Sequence, residues 1–149
     1  MTILSCASSR PGNLGVSESG LAKCPSSPNC VCSEEARGIH FIEPLELKGD
    51  VARAWEVTRK VVAALPRTRL IEDTPSYLHA EVRSALMHFV DDLELRLRPA
   101  ERRIEIRSAS RLGWSDMGVN RKRVETLRNL LVVEGVVSPS IGSRGDGSS

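Results

Sequence analysis

The sequence has no apolar run approaching the roughly 20 residues that cross a bilayer, so a soluble body is expected. Aromatic residues make up 3% of the chain, too few for the stacking platforms that hold single-stranded nucleic acid. Charge of one sign is also missing. The 21 Lys and Arg stand against 19 Asp and Glu, interleaved to a formal charge of +2, so no basic stripe points to nucleic acid. Histidine occurs only at His40, His79 and His88. No phosphate loop, paired helical metal-binding histidines or dinucleotide fingerprint is present, and no cofactor or metal is expected. With 149 residues, the chain is long enough for one domain with a real core and too short for two ordinary ones.

What is there begins with cysteine. Ile3-Leu-Ser-Cys6 followed by Ala-Ser-Ser resembles the end of a bacterial lipoprotein signal, although the charged and long apolar parts of such a signal are missing. Two readings stand: a longer precursor exists and Cys6 carries a lipid, or Cys6 belongs to a disordered tail. Residues 10–23 are rich in Gly, Ser, Asn and Pro without periodicity, so 1–23 reads as a flexible tether. Then comes Cys24-Pro-Ser-Ser-Pro-Asn-Cys-Val-Cys32, a turn-prone loop that favours a Cys24–Cys30 disulfide and hence an oxidising compartment. A metal set of Cys24, Cys30, Cys32 and His40 lacks the short paired knuckles of structural zinc sites, and unpaired buried thiols are the third reading.

From Ile39 to Leu47 the composition is that of a strand interrupted by Pro44, suited to an edge. Gly49-Asp50 opens a helix whose apolar stripe runs through Val51, Ala54, Trp55, Thr58, Val61, Val62 and Leu65 until Pro66 stops it, with Trp55 a core anchor. A short strand over 69–72 precedes two alternating strands joined near Ser84 and Ala85. One puts Leu78, Ala80 and Val82 on a single face; the other does so with Met87, Phe89, Leu93, Leu95 and Leu97, and parity adds Asp91 to that face. A turn at 99–102 returns a third strand. Pairing Leu97 with Ile104 sets Arg96 opposite Glu105 and Glu94 opposite Arg107, two complementary pairs that support the register, while Arg98 opposite Arg103 counts against it. The same ladder sets Leu93 beside Ser108 and Asp91 beside Ser110. His79 and His88 fall on the outer face, His88 near Glu81 as an ordinary surface pair.

The last helix is expected to start near Asn120, capped by that side chain, and to bury Val124, Leu127, Leu130 and Leu131 before Gly135 breaks it. The order β-α-β-β-β-α, with one apolar face on each helix, predicts an α+β two-layer sandwich: an antiparallel sheet with both helices on one face, spanning 24–135. Residues 136–149 read as a disordered tail, in which Arg144-Gly-Asp146 matches an adhesion tripeptide by chance.

Three stretches carry a resemblance: Cys-Pro-Ser-Ser-Pro-Asn-Cys-Val from Cys24, Phe89-Val-Asp-Asp92, and Arg107-Ser-Ala-Ser-Arg-Leu-Gly-Trp-Ser-Asp-Met-Gly-Val-Asn-Arg-Lys-Arg123. Together, over about Asn13 to Leu131, they resemble the domain-of-unknown-function family 1499 (DUF1499). The resemblance implies a bacterial envelope lipoprotein or membrane-linked protein, or a plastid protein, without an established activity. It also strengthens the reading of a lipid on Cys6, through which alone a membrane contact is expected. The family pattern favours a serine where this chain has Cys32, which leaves Cys32 as an odd thiol.

The third stretch joins a strand end, a glycine-punctuated loop and a helix start, and it concentrates the candidate site residues: Asp91, Ser108, Ser110, Arg111, Asp116, Asn120 and Arg121. In a structural reading Asp91 accepts hydrogen bonds from Ser108, Ser110 and loop amides, Arg111 pairs with Asp116, and Gly113 and Gly118 allow the turn. In a binding reading Arg111 and Arg121 hold a small anionic or amphipathic ligand, or an envelope partner, at the helix start. A hydrolase would use Ser110 as nucleophile with Asp91 or Asp116 as base, but no histidine is expected beside Ser108 or Ser110.

Overall fold

A computed structural model describes residues 9–85, 89–113 and 115–141. Cys6, Met87, His88 and the Arg144–Asp146 tripeptide lie outside the described residues. Among these residues six strands form one antiparallel sheet, and two helices pack on a single face of it, the α+β sandwich expected from the sequence, with four strands rather than three between the helices. The elements are β1 (Cys30–Cys32), β2 (Leu45–Glu46), α1 (Val51–Ala64), β3 (Thr68–Asp73), β4 (Tyr77–Arg83), β5 (Val90–Arg98), β6 (Arg103–Ser110) and α2 (Val119–Val133). Strand order is β1-β6-β5-β4-β3, with β2 sharing the β6 edge with β1.

The β5–β6 register is the one charge complementarity predicts: Leu97↔Ile104, Arg96↔Glu105, Glu94↔Arg107, Leu93↔Ser108 and Asp91↔Ser110. The awkward Arg98↔Arg103 pair is relieved because each arginine has its own carboxylate, Glu101 at 2.8 Å and Glu105 at 2.6 Å. In β3 the ladder with β4 is broken by a bulge between Leu70 and Glu72.

The core lies between the helices and the inner face of the sheet. Ala54, Trp55 and Val62 of α1 and Val124, Leu127 and Leu131 of α2 meet Leu78, Ala80, Leu93, Leu95, Ile104 and Ile106, all buried. Burying each of the Val, Leu and Ile side chains contributes on the order of 1.5–3 kcal/mol. Asp50 caps α1 by accepting the Arg53 N–H at 2.8 Å, and the helix ends at Leu65 before Pro66.

Several expectations need correction. Leu130 is 41% exposed, because it lies off the stripe set by Val124, Leu127 and Leu131; Arg128 occupies the buried position, its guanidinium donating to the carbonyls of Glu43 and Pro44. Phe89 is 42% exposed, since it precedes the first paired residue of β5. The expected strand over 39–47 shrinks to Leu45–Glu46, and β1 was not anticipated. Asn120 does not cap α2; Gly118, in the left-handed region at φ 81°, precedes the helix, and Asp116 accepts the N–H groups of Gly118 and Asn120. The fold continues past Gly135, with Val136 and Val137 buried, Val137 bridged to Leu47 and the Ser138 N–H donating to the Glu46 carbonyl.

The largest difference concerns the outer face. The segment read as a tether packs against it: Arg10 reaches Glu81, the Gly15 N–H donates to Glu94, and Leu21 is buried with Cys32 and Tyr77. His79 is on that face, as parity requires, but only 2% exposed rather than solvated.

Candidate functional site

Strand parity divides the polar residues at this end of the sheet into two clusters, back to back. Asp91, Ser108 and Ser110 point toward the helices; Asp92, Arg107 and Arg111, each one residue away, point to the outer face.

The inner cluster is organised by Asn120, which is fully buried on the first turn of α2. Its Oδ1 accepts from Ser108 Oγ at 2.6 Å and from Arg123 Nη1 at 2.8 Å; its Nδ2 donates to Ser110 Oγ and Asp116 Oδ2, each at 2.8 Å. Arg123 also pairs with Asp91 at 2.7 Å, a partner the sequence reading did not assign. Asn29, next to the disulfide, adds its carbonyl to Asn120 and its amide to the Gly113 carbonyl at 2.7 Å. Asp116 is buried enough to raise its pKa, yet the hydrogen bonds from Asn120 and Gly118 outweigh this and hold it below the usual carboxylate range. Its charge is therefore spent on closing the helix start. Ser110 Oγ receives a donor from Asn120 rather than facing a base, the opposite of what activates a nucleophile. The cluster is a brace that locks α2 and the cysteine loop onto β5 and β6.

Five candidate residues thus come together as expected: Asp91, Ser108, Ser110, Asp116 and Asn120. Arg111 and Arg121 do not join them. Arg121 is exposed and donates to the carbonyls of Ile39 and Phe41. Arg111 follows Ser110 by one residue and so crosses to the outer face, where it meets Asp92 and Glu81 rather than Asp116.

On that outer face Arg111 forks onto Asp92, with Nε and Nη2 at 2.7 and 2.8 Å, and also holds Glu81. His79 Nε2 lies 2.7 Å from the same Asp92 carboxylate. Burial alone would raise the pKa values of Asp92 and Glu81, but hydrogen bonds from Arg111, with His79 on Asp92 and Arg10 on Glu81, hold both below the usual range. Those two carboxylates in turn raise the pKa of Arg111. Farther along, the fully buried Glu94 accepts from Tyr77 Oη at 2.6 Å and from the Gly15 N–H at 2.8 Å. Burial, then this carboxylate, raises the Tyr77 pKa.

Arg107 is different. Its side chain is 5% exposed, its Nε is buried without a hydrogen-bond partner, and its contact with Glu94 is long at 3.4 Å. Arg107 lines a cleft of about 350 Å³ together with Asn13, Lys23, Asp92 and Arg111, with Cys24 at its rim. Lys23 is exposed and enters no ion pair among the described residues. The sequence carried one clue to this cleft, the alternation of charges along β5 and β6, but nothing marked Lys23 or Asn13 as its other wall.

Cys24 and Cys30 form the expected disulfide, which removes two thiols from any four-ligand metal set. Among the described residues no group of three or more His, Cys, Asp and Glu is placed to hold a metal ion. Cys32 is a free, buried thiol whose pKa burial pushes up to about 11, so it is a poor nucleophile. No helix among the described residues is long and apolar enough to cross a membrane.

No curated protein and no solved structure matches the chain. A family model does, over residues 20–131, which takes in the cysteine loop, the sheet, the brace and the cleft residues Lys23, Asp92, Arg107 and Arg111. The chain belongs to that family, DUF1499, described as a protein of unknown function.

Proposed function

We propose that the protein is a non-enzymatic binding module of the cell envelope, and that its site is the outer-face cleft walled by Lys23, Arg107 and Arg111. Its ligand is a small anion bearing a carboxylate or phosphate group. The observation that carries this reading is Arg107, a buried guanidinium whose one ion pair among the described residues, with Glu94, is long at 3.4 Å, lining a cleft that also holds Lys23. A buried arginine left short of acceptors is costly unless something completes its hydrogen bonds, and its planar fork suits carboxylates and phosphates. The cleft size is within the range of small-molecule sites. Asp92 does not cancel the attraction, because Arg111 already neutralises it.

Envelope location has its own support in the Cys24–Cys30 disulfide, which persists in oxidising compartments, and Cys6 as a lipid-bearing residue fits the same location. The bracing role of Ser110, Asp91 and Asp116 weighs against a hydrolase.

The test is thermal unfolding of the full chain with sodium phosphate or citrate, against sodium chloride at equal ionic strength. Phosphate or citrate should raise Tm in a saturable way, and Lys23→Gln should weaken that affinity by about tenfold, the equivalent of about 1.4 kcal/mol. Arg107→Gln should weaken it further. Equal stabilisation by chloride, or an unchanged response in Lys23→Gln, would overturn the assignment.

A further inference from the structure

One end of the molecule combines exposed apolar side chains with cations that have no acidic partners. Backbone hydrogen bonds align its parts across the sheet: Arg83 N to Arg67 O at 3.0 Å, Ser84 N to Phe89 O at 2.9 Å, and Arg111 N to Val90 O at 3.2 Å. The start of β3, the end of β4, the start of β5 and the end of β6 therefore share this end. Phe89, Leu112, Met117 and Val119 are all exposed here, Met117 at 93%. Elsewhere the exposed apolar residues are scattered, as on any protein surface.

Among the described residues the exposed charged groups at this end are cations, and Asp116 is the one half-buried carboxylate. Arg67, Arg69, Arg83 and Lys122 are exposed and enter no ion pair among the described residues. The nearby carboxylates are already committed: Glu81 and Asp92 to Arg111, Asp91 to Arg123, and Asp116 to the N–H groups at the start of α2. At the opposite end, by contrast, Arg59 pairs with Asp73 and Arg98 with Glu101. A groove of about 220 Å³ between the helix ends, lined by Leu65, Pro66, Val82, Val119 and Lys122, continues the apolar surface.

We propose that this end docks on the surface of an anionic lipid bilayer. Phe89, Leu112 and Met117 enter the headgroup region, while Arg67, Arg69, Arg83 and Lys122 lie at the level of the lipid phosphates. Exposed apolar side chains together with cations free of ion pairs among the described residues match the two layers of such a surface, hydrocarbon below and negative charge above. A protein partner would need acidic groups arranged to fit; a bilayer supplies a continuous sheet of them. The contact is separate from any lipid on Cys6 and adds orientation to it, with Phe89, Leu112 and Met117 facing the membrane.

The experiment is co-sedimentation of the full chain carrying Cys6→Ser, so that no acyl chain contributes. The vesicles are phosphatidylcholine alone, or phosphatidylcholine with about a third phosphatidylglycerol. Binding should require phosphatidylglycerol and weaken with salt. Arg83→Gln and Lys122→Gln should each reduce it about fivefold, and Met117→Asn should reduce it as well. These residues are exposed, so the variants should keep the parent melting temperature. Lys23→Gln, in the cleft, should bind vesicles like the parent, which separates this proposal from the anion site. The proposal is overturned if the parent ignores phosphatidylglycerol, if it binds both vesicle types equally, or if the variants sediment unchanged.

Discussion

Asp92 takes two hydrogen bonds from Arg111 and lies against His79, all away from solvent, so its ionisation is tied to the native state. Asp92, Glu81 and Asp116 all have pKa values lowered in the fold. A depressed folded-state pKa means that the unfolded chain binds more protons, so the stabilisation is present above the unfolded value near 4 and is lost as pH falls through the folded value. Circular dichroism should therefore show a native signal that is retained down to about pH 4 and lost below it. Arg111→Ala leaves Asp92 buried with His79 alone. It should cost about 3–5 kcal/mol at neutral pH and move the acid transition upward, as a urea series at several pH values would show. The sequence made the Asp91–Ser110 pairing legible through parity, but not the fate of Arg111. The sequence reading pairs that residue with Asp116, whereas it continues the strand alternation by one more step and meets Asp92 and Glu81.

At the scale of elements, the two helices differ in how they begin. Asp50 closes α1 through one amide, so Asp50→Ala should cost about 1 kcal/mol. Asp116 closes α2 through two amides and also orients Asn120, so Asp116→Ala should cost about 2 kcal/mol or more. The shift in urea midpoint for each variant checks the ranking. The N-terminal cover has its own weak point at Gly20, held at φ +98°, where a Cβ would come within 2.6 Å of the Glu34 carboxylate. Gly20→Ala should cost more than about 1 kcal/mol, and hydrogen exchange should show lost protection at the Leu21 amide, which bonds the same carboxylate. The long strands were legible because alternation and cross-strand charge pairs repeat over many residues. Cys30–Cys32 was not, since three residues carry no period and their partners Arg107, Ser108 and Ala109 are far along the chain. The cover over 10–21 was not either. Individual amide-to-carboxylate bonds hold it, and a Gly/Ser/Asn-rich sequence does not announce them.

For the molecule as a whole, that cover adds a partial third layer and turns what reads as a solvated sheet face into a buried network of charges. His79 shows the effect: its face was legible, its burial was not, because burial depends on a segment more than fifty residues away in sequence. The disulfide fixes the layer near the cleft, since Cys24 lies at the cleft rim and Cys30 in β1. Replacing both cysteines by serine should lower stability by about 2 kcal/mol, read from thermal or urea unfolding, and should loosen anion binding at the same time.

The bulge in β3 acts on encounters between molecules. β3 is the terminal strand of the sheet, and its irregular stretch at Leu70–Glu72 is flanked by exposed Arg69, Glu72 and Asp73. An approaching strand finds there no unbroken row of amide and carbonyl groups to copy, and it meets charges before backbone. At this edge a second copy of the chain is thus offered no template for extending the sheet.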